Sequence, residues 1–537
     1  MGAEPHIVIV GSGVAGTEAA YALRTFGHAG PITLLGREPH LPYERPPLSK
    51  AYLRGSPARE GLWLRPASAY AEERILLRTG TEVLSIDRAA RELRLRTGDT
   101  LAYEQLLLAT GGEPRALALP GADLPGVLSL KTLDDAERLR PRLVSGAAVV
   151  LIGGGYVGME LAATACQAGC KVTVVEGQSR VLARTLPAAI GVHLQDQHRA
   201  RGVRLVLDAQ VAALEGDTRV RAVRLADGER LPADTVLVGI GNHACDELAQ
   251  RIGLATAAGI VVDAHGRTRD PAIFAAGDCA VAPQAGFAAP IRLESVQSAR
   301  FQARRAAAAM RAAAQPVSVA DELPWFWSDQ FDTKLQMAGL PRPGDAQILR
   351  GDPASGSFSV VFQNAADGVT AVQCVNAASD FAAAKKLIAQ RRCFDPAWLA
   401  DAGLRLREIR DRTPCAVRAP DSSPTQRIPA MPHPVTIEAT DRKGRVHHLE
   451  NPPGSSLMEV LRARGLPVAA TCGGARSCAT CHVYVHGGYG SVGAPDEDEL
   501  DLLTESEHYR AGESRLSCQI QLQPQTGRLQ VELAPQD

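Results

Sequence analysis

Twice in this 537-residue chain a short β-branched run leads into a glycine triplet and then into a helix-forming stretch. The first is residues 7–10, then Gly11-Ser-Gly13-Val-Ala15-Gly16 and "TEAAYALRTFG"; the second is residues 149–152, then Gly153-Gly-Gly155-Tyr156-Val157-Gly158 and "MELAATACQAG". The glycines serve different ends. One makes a tight turn, one lets backbone approach a pyrophosphate, and one lets helix pack on strand, with the helix N-terminus facing the negative charge. One GxGxxG alone is a weak signal. With a strand before it and a helix after it, and with the whole unit repeated in order, it predicts an α/β chain with two Rossmann-like nucleotide-binding domains.

Other segments complete the two units. After the second triplet a strand at residues 172–175 ends in Glu176. An acid there accepts hydrogen bonds from an adenosine ribose and repels a 2′-phosphate, favouring NADH over NADPH, while Arg180 and Arg184 downstream argue the other way. "TRDPAIFAAGDCA" runs a strand into Gly277-Asp278, a carboxylate that suits a flavin ribityl or phosphate. "LLLATGG", with Thr110 and Gly111, is the crossover back to the first nucleotide, and "VLVGIGN", with Gly239 and Gly241, is its counterpart in the second. The first domain is therefore expected to be discontinuous.

The chain is too long for one core. Six prolines among Ser, Thr and Asp between residues 414 and 434 read as a linker. Beyond it "VTIEAT" reads as a strand and "SSLMEVLRARG" as a helix, with Ser456 and Glu459 at capping-box spacing. Of the 11 cysteines only four are organised: Cys472-x5-Cys478-x2-Cys481, and Cys518 after 36 more residues. The N-terminus enters a strand at once, with no charged-then-apolar leader, and no apolar run approaches the roughly 20 residues a membrane span needs. These features predict a cytoplasmic protein, in which such a cysteine grouping favours a metal or cluster over disulfides. Four thiolates are what a [2Fe–2S] cluster requires. Zinc is the competing reading, although zinc ribbons bring two CxxC pairs and this chain has one. Gly473 and Gly474 suit a loop whose amides turn toward cluster sulfurs, and a Rieske centre lacks its Cys-x-His pairs.

Charge is unevenly spread. Residues 434–537 hold 14 acids and 9 bases, and the remainder 45 acids and 49 bases. Opposite signs on two parts of one chain point to mutual docking, or to solvated surfaces with no message. No basic cluster marks a nucleic-acid partner.

"LPYERPPLSKAYL", "GGGYVGMELAA", "FAAGDCA" and "PWFWSDQF", spread over residues 5–410, resemble the ferredoxin reductases of oxygenase systems, the putidaredoxin reductase type, with apoptosis-inducing factor a relative. That resemblance implies FAD and NADH as cofactors. It implies an ion pair of Lys50 and Glu160 beside the reactive edge of the isoalloxazine, and Trp327 near flavin and nicotinamide with Trp325 packed beside it. Lys50 is one of only seven lysines in an arginine-rich chain, and a compact ammonium can approach where a guanidinium fork is too wide. Arg45, Val83, Asp278 and Val296 match flavin contacts of the family. Two positions depart from its pattern: Arg37, followed by Glu38, stands where an acid is usual, and Lys131 stands where an arginine is usual. The Cys-x4-Cys pair of disulfide reductases is missing, and Cys166 and Cys170 lie on the helix behind the nicotinamide turn. Reduced flavin must then pass electrons to an acceptor outside that domain.

Residues 435–533, through the cysteine spacing, "SCATCHVYV" and "SRLSCQI", resemble adrenodoxin and putidaredoxin; plant-type ferredoxins have one residue fewer between the first two cysteines. That family docks through an acidic helix, which "APDEDELDLL" supplies around Asp496–Asp501, with Asp498 and Asp501 matching contact carboxylates; a solvated helix face is the plainer alternative. Thr471 stands in place of an Asp before the first cluster cysteine, and a C-terminal aromatic is lacking. The two resemblances together imply a reductase fused to its ferredoxin, passing electrons from NADH through FAD and a [2Fe–2S] cluster to an oxygenase, with a cytochrome P-450 expected. A Rieske-type oxygenase or iron–sulfur assembly are alternative acceptors, and an NADH-responsive signalling flavoprotein like apoptosis-inducing factor is the alternative of another class. The expected domains are an FAD domain at 1–112 and 243–320, an NAD domain at 113–242, a small α+β reductase domain at 321–411, a linker at 412–433 and an α+β β-grasp ferredoxin domain at 434–537.

Overall fold

The computed structural model describes residues 4–311, 322–364, 366–411, 435–451, 456–469, 479–488, 492–522 and 528–535. It divides into two compact units, Met1–Leu335 and Gln336–Asp537.

The first unit contains two five-stranded parallel sheets of the same plan. One runs Ile273–Ala275, Gln105–Leu108, Ile7–Val10, Ile32–Leu35, Ile75–Arg78; the other runs Arg204–Val206, Lys171–Val175, Ala148–Ile152, Thr235–Val238, Val127–Leu128. The strand before each glycine triplet is the middle one, so each loop opens at the carboxyl end of the sheet, where ligands bind in doubly wound folds. Ile7–Val10 is buried along its whole length, as a strand covered on both faces must be. The helix Val14–Thr25 packs on the helix Val296–Arg311 through a stripe of alanines that includes Ala19, Ala303 and Ala307. Gly112–Pro114 and Asn242–Ala244 pair antiparallel and join the two crossovers.

In the second unit, the strands Thr333–Gly339, Gly368–Val375, Ser357–Asn364 and Ala346–Asp352 stand side by side, with the helix Ala378–Ala389 against Gly368–Val375. Arg350 is buried there, bonded through Nε to Asp380 Oδ2 at 2.9 Å. The same unit holds a mixed sheet ordered Val446–Asn451, Val435–Thr440, Arg528–Leu533, His482–Gly487, Ser514–Leu516, in which only Val435–Thr440 and Arg528–Leu533 pair in parallel. Its helix Leu457–Ala463 carries the capping box of Ser456 and Glu459 and buries Leu457, Val460 and Leu461 in the core of that lobe. The prolines between 414 and 434 lie outside the described residues. Among the described residues no helix is long and apolar enough to cross a membrane.

Candidate functional site

Both glycine loops are built by contact. Gly11 has φ +111°, and a Cβ on it would come 2.1 Å from the Ala109 carbonyl oxygen. Gly153 repeats this with φ +105° and Gly239 O at 2.4 Å. Beside Gly13 nothing lies within 4 Å, so this position faces an open cradle. Gly16 is different: a Cβ would stand 1.8 Å from Gly11 O. It serves the packing of the helix on the loop and stands outside the cavity lining.

All the other predicted cofactor residues of the first unit line a single cavity of about 1670 Å³. Gly11, Gly13, Ala15, Arg37, Glu38 and Arg45 lie on the side of the first loop. Val83, Thr110, Gly111, Lys131, Gly277, Asp278 and Val296 continue that wall. Gly153, Gly155, Tyr156, Val157, Gly158, Glu176, Gly239 and Gly241 form the second half, and Lys50, Glu160 and Trp327 line the cavity too. One space thus runs from one dinucleotide cradle to the other, as adjoining flavin and nicotinamide rings require.

Lys50 follows a 3-10 turn at Pro46–Ser49, and Glu160 lies in the first turns of the helix Tyr156–Gln167. Their charged atoms, Nζ and Oε2, are 2.7 Å apart. The same Oε2 accepts the Ser49 hydroxyl at 2.6 Å, and Oε1 accepts the Ser328 hydroxyl at 2.7 Å. Glu160, Ser49 and Ser328 are buried, so the carboxylate has exchanged water for three protein donors. The strand Trp325–Gln330 brings Ser328 to that carboxylate. It also sets Phe326 against Tyr156, tilted at 55° with centroids 4.7 Å apart, and places the Trp325 ring 5.4 Å from that of Trp327. Burial pushes the Tyr156 phenol up to about 12, so its ring is a neutral wall.

Along the first half, Glu38 accepts from Arg45 at 2.7 Å and also from Tyr43, whose phenol burial pushes well above its ordinary range. The Tyr43 oxygen in turn accepts the Leu133 amide at 2.8 Å. Arg37 is paired with Glu113. Lys131 Nζ lies 3.4 Å from Asp278 Oδ2, so the lysine at the departing position still serves this carboxylate. The Thr110 hydroxyl donates to the Cys245 carbonyl oxygen. In the second half, Glu176 Oε2 accepts the Gly154 amide at 2.6 Å and Oε1 accepts the Gln178 amide at 2.9 Å. Arg180 points elsewhere, its guanidinium donating to the carbonyls of Leu186 at 3.0 Å and of Ala183 and Pro187 at 3.4 Å. Arg184 lines the cavity.

In the second unit Cys481 and Cys518 are buried and free of disulfides. Pairing of His482–Gly487 with Ser514–Leu516 brings their segments together, and the Cys481 carbonyl accepts both the amide and the hydroxyl of Ser517. The Gln519 amide nitrogen donates to Cys518 Sγ at 3.1 Å, a donor suited to a thiolate. Ala479, between the cysteines of the CxxC, has φ +49°. Cys472, Cys478, Gly473 and Gly474 lie outside the described residues. Two buried cysteines at one sheet end, one with an amide donor, fit two ligands of a cluster.

The acidic helix is Glu497–Thr504, with the Asp496 side chain capping the Glu499 amide. Glu499 is buried in a two-point pair with Arg515, at 2.8 and 2.9 Å, and also accepts the Leu516 amide. It is a structural acid. Of the residues that match a docking face, Asp501 is half-buried on the same helix, while the side chain of Asp498 lies outside the described residues. The helix packs against Ala378–Ala389, where Lys385 Nζ lies 3.5 Å from Glu505 Oε2. Arg405, Arg407, Asp496 and Asp501 border a cavity of about 360 Å³ there.

Sequence reasoning alone misses Ser49, Ser328, Tyr43 and Phe326. Ser49 and Ser328 stand beside named residues in "PPLSK" and "FWSD", but nothing local says that their hydroxyls meet one carboxylate.

Three family models match the chain: pyridine nucleotide-disulphide oxidoreductase over residues 5–313, reductase C-terminal over 325–410, and 2Fe-2S iron-sulfur cluster binding domain over 441–523. Rhodocoxin reductase of Rhodococcus erythropolis is 43% identical over 74% of this chain and 92% of its own. The ferredoxin–NAD(+) reductase component of the anthranilate 1,2-dioxygenase system of Burkholderia cepacia is 41% identical over 75% of this chain and 98% of its own. The crystal structure of the covalent putidaredoxin reductase–putidaredoxin complex superposes with a TM-score of 0.72 at 40% identity, covering 76% of this chain and 98% of that one. With FAD and NADH as cofactors of its oxidoreductase part and a [2Fe–2S] cluster in its last domain, the chain belongs to the putidaredoxin reductase-type ferredoxin reductases of oxygenase systems and carries a ferredoxin domain of its own.

Proposed function

We propose that this chain takes electrons from NADH and delivers them singly, through its own iron–sulfur domain, to a cytochrome P-450. FAD supplies the exchange between a hydride donor and one-electron carriers, and a [2Fe–2S] centre carries one electron per trip. The observation that carries the reading is the continuous cavity joining two dinucleotide cradles at Lys50, Glu160 and Trp327, in a chain with its own cluster-binding domain.

The residues take these roles. The Gly11–Gly13 and Gly153–Gly155 loops hold the two pyrophosphates, Glu38 and Glu176 face the adenosine riboses, and Asp278 with Lys131 holds the flavin side chain. Lys50, fixed by Glu160, sets a positive charge at the reactive edge, and Trp327 keeps water from the ring stack. Cys472, Cys478, Cys481 and Cys518 ligate the irons. The domain spans are those read from sequence, with 412–433 as tether. Docking within the chain is supported by the acidic helix against Ala378–Ala389 and by the Lys385–Glu505 pair.

The P-450 acceptor is favoured by the x5 spacing between Cys472 and Cys478, the pattern resembling adrenodoxin and putidaredoxin. A Rieske oxygenase is the second reading, favoured by the relative named for a dioxygenase system. Reconstitution with purified acceptors of both kinds separates them: single-turnover reduction of the Rieske protein and none of the P-450 overturns the first reading. Within the chain, Cys478→Ser should abolish NADH–cytochrome c reduction and leave NADH–ferricyanide activity; loss of both would overturn a flavin-first order.

A further inference from the structure

A carboxylate outside the Lys50–Glu160 pair stands where the two halves of the cavity meet. Glu294 lines the cavity, and so does Asn242, which follows the second crossover. Asn242 Nδ2 donates to Glu294 Oε2 at 3.1 Å. Arg292 holds the other oxygen, with Nη2 2.7 Å from Glu294 Oε1. Through Nη1 the same guanidinium donates to the Asp278 carbonyl oxygen at 3.1 Å. One chain of side chains thus ties the end of the second crossover to the segment that carries Asp278.

The sheet order says which ends of two dinucleotides come here. In the first sheet the strand before the glycine loop has Ile32–Leu35, leading to Glu38, on one side. Gln105–Leu108 and then Ile273–Ala275 lie on the other. In the second sheet Lys171–Val175, leading to Glu176, lies on one side of the corresponding strand and Thr235–Val238 on the other. An adenosine anchored at Glu38 or Glu176 leaves the far end of its dinucleotide to cross to the opposite side. Asp278 and Asn242 stand on those opposite sides, and Glu294 is tied to both, directly or through Arg292. It therefore faces the reactive ends.

Glu294 keeps room for another donor. A carboxylate offers about four lone-pair sites, and Arg292 and Asn242 take one on each oxygen. The side chain is 32% exposed, and Asn242 Nδ2 carries a second proton.

We propose that Glu294 and Asn242 read the carboxamide of the nicotinamide. A primary carboxamide sets an N–H donor beside a carbonyl acceptor, and this pair offers the converse, a carboxylate acceptor beside an amide donor. By holding that group, the two residues fix the rotation of the ring against the flavin. Arg292 is a positioning residue, which fixes the carboxylate and offsets its charge. The inference rests on the seating of NADH in the second cradle.

The full FAD- and cluster-loaded chain tests it with NAD⁺ and acetylpyridine adenine dinucleotide, in which a methyl replaces the carboxamide nitrogen. Calorimetry on the oxidised chain should show NAD⁺ bound about tenfold or more tighter than the analogue. Glu294→Ala should weaken NAD⁺ about tenfold and leave the analogue within about twofold, so that the discrimination vanishes. The ratio of kcat/KM for the two reduced coenzymes should narrow by a similar factor. Glu294→Gln keeps an acceptor oxygen and should retain part of the discrimination, at unchanged FAD content. Equal weakening of both dinucleotides, or undiminished discrimination in Glu294→Ala, would overturn the proposal. An NAD⁺ affinity unchanged in Glu176→Ala would instead sink the seating of the dinucleotide on which it rests.

Discussion

The Ser328 hydroxyl donates to Glu160 Oε1 at 2.7 Å, the oxygen left free by Lys50 and Ser49 on Oε2. A carboxylate held at both oxygens cannot turn, so Lys50 is aimed as well as neutralised. Lys50→Met should retain FAD and slow its reduction by NADH about 10–100-fold, since a fixed charge at the reacting edge is lost. Lys50→Arg should recover little, because the guanidinium fork does not fit an ammonium's place. Stopped-flow bleaching measures both. Combined with Glu160→Gln, the losses should fall well short of additive, as for residues acting as one unit.

Gly13 and Gly16 lie in one motif but do different work. A methyl at Gly13 enters open space where a pyrophosphate must come; one at Gly16 enters the Gly11 carbonyl. Gly13→Ala should give folded chain with FAD content reduced about tenfold or more, while Gly16→Ala should lower the melting temperature of the flavin-free protein as well. Equal effects of the two on flavin-free stability would refute the division.

The cradles are legible in the sequence because their glycine spacing is local and repeats. Glu160's surroundings are not, because Ser49, Glu160 and Ser328 come from three separate segments that only packing unites. The acidic helix is legible as a helix, yet its run of acids offers Glu499 as part of a docking face; its burial depends on Arg515, which no periodicity pairs with it. Arg180 stands in the sequence as an argument for a 2′-phosphate, and only the turn of the following residues shows its guanidinium spent on carbonyls.

That last placement bears on the coenzyme. Glu176 is fixed at the rim of the second cradle by two backbone amides, and Arg180 is engaged elsewhere. Glu176→Ala should narrow the preference for NADH over NADPH about tenfold in kcat/KM, by removing both a ribose acceptor and a repelling charge. Arg180→Leu should leave the preference unchanged and lower stability instead. A drop in NADPH use in the Arg180 variant would show that this arginine does reach the phosphate.

On the acidic helix, neighbours should separate into two kinds. Glu499→Ala strands the buried Arg515 guanidinium and should cost about 3–5 kcal/mol of the ferredoxin lobe's stability. Lys385→Glu breaks only a partly exposed pair with Glu505, worth at most about 1 kcal/mol, so cluster reduction at low salt should fall no more than about fivefold. Adding Glu505→Lys should return it, and raised salt should erase the difference. A Lys385→Glu chain indistinguishable from the parent at low salt would argue that this contact does not serve electron transfer.

Asp441 closes the hairpin between Val435–Thr440 and Val446–Asn451. Its Oδ1 accepts the amides of Lys443 at 2.9 Å and Arg445 at 3.0 Å, and its Oδ2 accepts Arg445 Nε at 2.9 Å and His447 Nε2 at 3.2 Å. Burial alone would raise this carboxyl, but these donors together hold it well below the ordinary range. A depressed folded value means the contribution is complete above the unfolded carboxylate pKa of about 3.9 and fades as pH falls below it toward the folded value. Asp441→Ala should therefore cost about 1–3 kcal/mol at pH 7. In urea titrations followed by the visible circular dichroism of the cluster, the gap between parent and variant should shrink as pH falls below about 4. A gap that stays constant with pH would mean that turn geometry, and not the ionised carboxylate, holds the hairpin.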